Sequence, residues 1–96
     1  MKLLTKELEA KLPRLYKGTQ IAYVKFFTPW SNWTWYACEY DPEEKVFFGY
    51  VEGLEKEWGY FSLQELESVR GPWGLKVERD MYFSPRVVGG ETYERC

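Results

Sequence analysis

The stretch YVKFFTPWSNWTWY, residues 23–36, carries seven aromatic rings in fourteen positions, among them the tryptophans Trp30, Trp33 and Trp35. A chain of 96 residues can build one hydrophobic core, and a core of that size has no room for so many large rings. Tryptophan joins a broad apolar body to a single N–H donor, so indoles on a turn tend to end half exposed and open to a partner. The run therefore points to a β-rich domain with a binding surface near residue 30.

Charge narrows the partners. Thirteen basic side chains against fifteen acidic ones leave a net charge of −2, which lacks the positive field of a general duplex-DNA binder. A nucleic-acid role would need a local basic patch. The chain has no histidine, so neither a Ser-His-Asp nor a Cys-His arrangement nor a histidine zinc site can be assembled. Cys38 lies in an apolar run as a small hydrophobe, far in sequence from Cys96, and neither a disulfide framework nor a metal clamp is expected. Gly49, Gly53, Gly59, Gly71 and Gly74 lack the spacing of a phosphate loop, and no cofactor is expected. MKLLTKELEAK reaches charged residues before any leader-like apolar core could form, and no stretch approaches membrane-spanning length, so the expected compartment is the cytoplasm.

Leu4, Leu8, Leu12 and Leu15 recur at helical spacing, with Thr5 as N-cap, Glu7 and Glu9 in the first turns and Pro13 as a stop, and predict a helix over residues 5–12. Residues 21–27, rich in β-branched and aromatic side chains, predict a strand that ends at Thr28-Pro29. Residues 34–40 and 46–51 predict two antiparallel strands around Asp41-Pro42-Glu43-Glu44, whose aspartate and proline suit a type I turn. Residues 58–61 and 76–83 predict two more. Between those, Ser62 and Glu65 form a capping box, Phe61 and Leu66 a hydrophobic staple, and Gly71-Pro72 ends the helix by a left-handed-tolerant residue and a breaker. A single domain over residues 1–86 with a loose tail over 87–96 follows.

On the second strand Thr34, Tyr36, Cys38 and Tyr40 take one face and Trp35, Ala37 and Glu39 the other, and both are largely apolar. Such a sheet is covered on two sides. The expected architecture is α+β: a central antiparallel sheet of four or five strands with two short helices, a helix on one face, and the N-terminal segment with the aromatic loop on the other.

Candidate binding residues are Trp30, Asn32 and Trp33 on the loop, with Tyr60, because tryptophan, tyrosine and arginine supply most interface hot spots. The same loop also reads as a packed corner in which the indoles cap the sheet. For single-stranded nucleic acid the rings would stack bases while Lys25, Arg70, Lys76 or Arg79 meets phosphates. Arg79 shares its strand face with Leu75, Val77, Met81 and Phe83, so it is expected either to pair with a carboxylate, Glu39 first, or to reach an anionic ligand. A carboxylate-dependent hydrolase would need two acids such as Glu39 with Glu52 or Asp80 to converge.

The segments KFFTPWSNWTWY, VFFGYVEG, GYFSLQELESVRGP and GLKVERDMYFSP together resemble an uncharacterised family of small bacterial proteins carried on plasmids and other mobile elements. The resemblance spans residues 1–85 and includes the aromatic loop and Glu78-Arg79-Asp80. It brings no activity, cofactor or catalytic residue. It implies an accessory role in mobile DNA, and with the aromatic loop it favours a non-enzymatic protein that binds another macromolecule, most simply a protein.

Overall fold

A computed structural model of the chain describes residues 2–90. Its elements in chain order are α1 (Lys6–Lys11), β1 (Ile21–Ala22), β2 (Val24–Phe27), β3 (Thr34–Asp41), β4 (Val46–Glu52), β5 (Lys56–Ser62), α2 (Leu63–Ser68), a 3-10 turn (Pro72–Gly74), β6 (Glu78–Arg79) and β7 (Arg86–Val87). Five strands form one antiparallel sheet in the order β5-β4-β3-β2-β6, and β1 pairs with β7 in a separate ribbon. The α+β class and the five-stranded sheet are as the sequence predicts.

Local chemistry explains the element ends. Thr5 Oγ1 accepts from the Leu8 N–H at 3.2 Å and starts α1. Asp41 Oδ1 accepts from the Glu43 N–H at 3.0 Å and folds the β3–β4 turn, which Lys45 completes at a φ of 56°. At α2 the capping box closes both ways: Ser62 Oγ accepts from the Glu65 N–H at 2.9 Å, and Glu65 Oε1 accepts from the Ser62 N–H at 3.0 Å. Phe61 and Leu66, the predicted staple, are buried in one cluster.

Four expectations are corrected. The first strand breaks at Tyr23, because β1 turns to pair with β7 while β2 stays with β3. On β3 a bulge between Ala37 and Glu39 shifts the alternation, so Tyr40 joins Trp35 and Ala37 on the helix-covered face, and Glu39 turns to the other face opposite Phe48. Residues 76–83 keep only β6 as strand, since Asp80 Oδ1 accepts from the Tyr82 N–H at 2.9 Å and the chain turns there. Residues 87–90 are not loose. Val87 pairs with Ile21, Val88 is buried, and Gln20 Nε2 donates to the carbonyls of Val88 and Gly90 at 2.9 and 3.0 Å. The rest of the predicted tail, 91–96, lies outside the described residues.

The two faces of the sheet are closed from opposite ends of the chain. Leu3, Leu4 and Leu12 pack with Leu66 of α2 over Val24, Phe26, Ala37, Tyr40, Phe47 and Phe61, so the N-terminal segment shares the face of both helices rather than covering the other. Phe47 is the hub: its ring lies 4.6 Å from Tyr40, 5.3 Å from Phe61 and 5.4 Å from Phe26, centroid to centroid. The other face carries Tyr36, Cys38, Tyr50 and Trp58, and Phe83 and Val88 cover it together with Ala22 of β1.

Burial, then the charges of Glu9, Asp41 and Glu67, push the Tyr40 hydroxyl above the ordinary tyrosine pKa. Above pH 10 an unfolded chain ionises this tyrosine while the folded chain holds its proton. Tyr40 therefore contributes stability that is complete below pH 10 and is lost as pH rises towards the folded value. In an alkaline titration followed by tyrosinate absorbance, Tyr40→Phe is expected to remove one step that lies above pH 10; an unchanged curve contradicts the assignment.

Candidate functional site

Thr28 organises the loop between β2 and β3. Its N–H donates to the Trp33 carbonyl at 3.0 Å, its Oγ1 accepts from the Trp33 N–H at 3.3 Å, and the same oxygen lies 2.5 Å from Ser31 Oγ. This closed loop holds Trp30 half-buried and Trp33 at 38% exposure. Trp33 stacks on Trp35 with centroids 5.8 Å apart and planes 26° from parallel.

Each loop indole lies on a glycine. Trp33 sits one step beyond the Thr34–Glu52 pair, over Gly53, where a Cβ would fall 2.3 Å from the ring. Trp30 lies over Gly71, again with a Cβ only 2.3 Å from the ring. Gly71 is therefore needed for close approach. Its φ is −106°, and α2 has already ended at Ser68, so the predicted left-handed helix stop is corrected.

Between these indoles runs an open groove of about 510 Å³, walled by Thr28, Trp30, Ser31 and Trp33, by Trp35 on β3, and by Val69 and Arg70 after α2. Arg70 Nη1 donates to the carbonyls of Glu67 at 2.6 Å and Val69 at 2.9 Å, which fixes the guanidinium at the end of α2. Its Nε and Nη2 have no hydrogen-bond partner among the described residues. Flat apolar walls with one anchored cation suit a ligand that offers an apolar or aromatic group beside an acceptor.

A family model described as Protein of unknown function (DUF2958) matches residues 3–88. The chain belongs to the DUF2958 family. The match runs past residue 85 to include β7, so the segment covering the second face is part of the family domain. No curated protein and no solved structure matches this DUF2958 chain.

The DUF2958 fold divides the predicted site residues among separate places. Trp30, Trp33 and Arg70 meet in the groove. Asn32 is exposed on the same loop without lining it. Tyr60 is 55% exposed on β5 and packs edge-on against Phe48, on the opposite face of the sheet. Lys25 and Arg79 line a different hollow of about 370 Å³ with Asp80, Met81 and Tyr82. There Lys25 Nζ lies 3.9 Å from Asp80 Oδ2. Arg79 donates to the Lys2 carbonyl and, at 3.1 Å, to that of Leu3.

Glu39, expected opposite Arg79, is engaged elsewhere. It is fully buried, and its two carboxylate oxygens accept from the N–H groups of Tyr16 at 3.0 Å and Thr19 at 3.1 Å. Nor do Glu39 and Glu52 converge: one is in register with Phe48, the other with Thr34, at opposite ends of the β3–β4 ladder. Among the described residues no three of Cys, Asp and Glu gather as a metal site, and no helix is long and apolar enough to cross a membrane.

Sequence reasoning missed Trp73. Its indole is 98% exposed at the apex of the 3-10 turn, on a backbone with φ 54° and ψ 30°. The signal was present in Gly71-Pro72-Trp73-Gly74, where turn formers on both sides leave the tryptophan at the tip.

The glycine seats are testable. In Gly71→Ala the new methyl meets the Trp30 ring, so the indole must tilt out of place. A loss of about 1–3 kcal/mol is expected, with an altered indole signal in near-ultraviolet circular dichroism. A wild-type spectrum and denaturation midpoint together would contradict the seating.

Proposed function

We propose that this DUF2958 chain is a non-enzymatic accessory protein of a mobile genetic element that works in the cytoplasm by binding a protein partner through the Trp30–Trp33–Arg70 groove. The observation that carries the reading is the groove itself: partly exposed indoles seated on glycines beside a guanidinium anchored by two carbonyls. Rigid aromatics next to arginine are the residue types that dominate interface energetics. The mobile-element setting is what the family resemblance implies. The non-enzymatic part is supported by the separation of Glu39 and Glu52 along the β3–β4 ladder.

The test is the double variant Trp30→Ser, Trp33→Ser, checked for native circular dichroism and used beside wild type in affinity capture from the bacterial host. Partners held by the groove are expected to lose at least about 2 kcal/mol, roughly 30-fold in Kd. A variant that folds and keeps every wild-type partner ends the reading.

Single-stranded nucleic acid is the second reading, favoured by the Trp33–Trp35 stack beside Arg70. It requires quenching of indole fluorescence by oligonucleotides at low salt that weakens as salt is added. Absence of quenching at low salt removes it.

A further inference from the structure

Trp73 and the groove form a knob and a hole on one patch. The turn that carries Trp73 is braced: the Gly71 N–H donates to the Leu75 carbonyl at 2.7 Å, the Leu75 N–H donates to the Pro72 carbonyl at 3.1 Å, and Arg70 bridges to Lys76 below. The backbone at Trp73 is left-handed, a conformation that bulky side chains seldom adopt. Strain of this kind persists where surrounding structure enforces it and is characteristic of contact sites. Here it directs an indole wholly into solvent, where it gains no burial of its own.

The hole lies at the foot of the same turn. Trp30 covers Gly71 and Arg70 lines the groove, both within three residues of Trp73. Trp73 is too exposed to occupy its own groove. We infer that the occupant is Trp73 of a second copy of this chain, so that two molecules exchange indoles about a two-fold axis beside the turn. This rests on the proposed reading of the groove as a protein-binding site and names the partner.

Three observations favour a second copy. Knob and hole on one patch are what a self-complementary two-fold interface requires, because each contact is made twice and the assembly closes at two. The chemistry matches, since an indole entering the groove stacks among Trp30, Trp33 and Trp35 while the Arg70 guanidinium can lie over its face. The net charge of −2 sets little repulsion between copies.

Area points the same way. A buried aromatic removes roughly 150–250 Å² from water. Trp73 at 98% exposure, with exposed parts of Trp33, Leu75 and Leu54, the last beside Gly53, supplies a large share of the ~800 Å² each partner of a stable pair buries.

Sedimentation of the full chain over a concentration series tests this. Wild type is expected to dimerise reversibly, and Trp73→Ser, which touches no packed residue, to keep its circular dichroism while Kd rises at least ~30-fold. The double variant Trp30→Ser, Trp33→Ser keeps the knob and lacks the hole, so mixing it with Trp73→Ser recovers one of the two contacts and should give a heterodimer weaker than the wild-type pair but tighter than either variant alone. A wild type that stays monomeric throughout, a Trp73→Ser that dimerises as wild type does, or a mixture that associates no more tightly than either variant alone overturns the inference. If those results come with loss of partners in the double variant, the groove still binds protein and only the second copy is excluded.

Discussion

Gly49→Ala is expected to destabilise the fold by about 3 kcal/mol or more, a large part of what a domain of this size has. Gly49 stands in the middle of β4 opposite Ala37, just where the β3 bulge begins. A Cβ there would lie 1.8 Å from the Tyr36 carbonyl oxygen, 2.9 Å from its carbon and 3.2 Å from the Ala37 Cα. All three atoms are backbone, so no rotamer change relieves the clash and the central ladder must open. Gly59 supplies the control. It is the β5 partner of Gly49, and a Cβ there meets nothing within 4 Å. Gly59→Ala should be neutral or stabilising by up to ~1 kcal/mol, because glycine has more backbone freedom to lose. Urea midpoints for the pair decide the matter: equal losses at both positions refute the close-approach account.

Glu39→Ala should cost a similar ~3 kcal/mol for a different reason. The carboxylate is fully buried and fastens the segment between α1 and β1 by accepting from the Tyr16 and Thr19 N–H groups. Alanine leaves two donors without their acceptor, at about 1–3 kcal/mol each where they stay dry, and adds a cavity. Glu39→Gln should lose less, about 1–2 kcal/mol, since its carbonyl can serve one donor while its amide faces the other. The site-specific reading is hydrogen exchange. The Tyr16 and Thr19 amides should lose protection in both variants while the β3–β4 ladder keeps its own. Protection unchanged at those two amides would show that the segment is held by something else.

Some of this was legible in the sequence because its cause is local. Ser62 and Glu65 satisfy each other within one turn, and Asp41 folds its own turn, so both ends could be read from neighbours. The bulge could not: Ala37 and Cys38 are small apolar residues with no turn signature, and the shift shows only in the register with β4. Likewise β7 is two residues long and defined by Ile21 and Ala22, far away in sequence. At the candidate site, ring density marks the loop whose Trp30 and Trp33 line the groove. Gly71 reads as a matter of backbone conformation when its role is to leave room for Trp30, and Glu39 as the partner of Arg79 when its carboxylate accepts from the Tyr16 and Thr19 N–H groups. Both errors have one source, since what a side chain meets across the fold leaves no mark in its own neighbourhood.

The closing of the second face by Phe83, Val88 and their neighbours has a consequence during synthesis. A nascent chain that has emerged only as far as β5 already holds Cys38, Tyr50 and Trp58 on that face but not the residues that seal it. On the ribosome it therefore presents a wet apolar sheet surface, the kind of surface on which aggregation begins and which chaperones engage. Variants that slow translation after β5 should lower soluble yield without changing the stability of the finished protein.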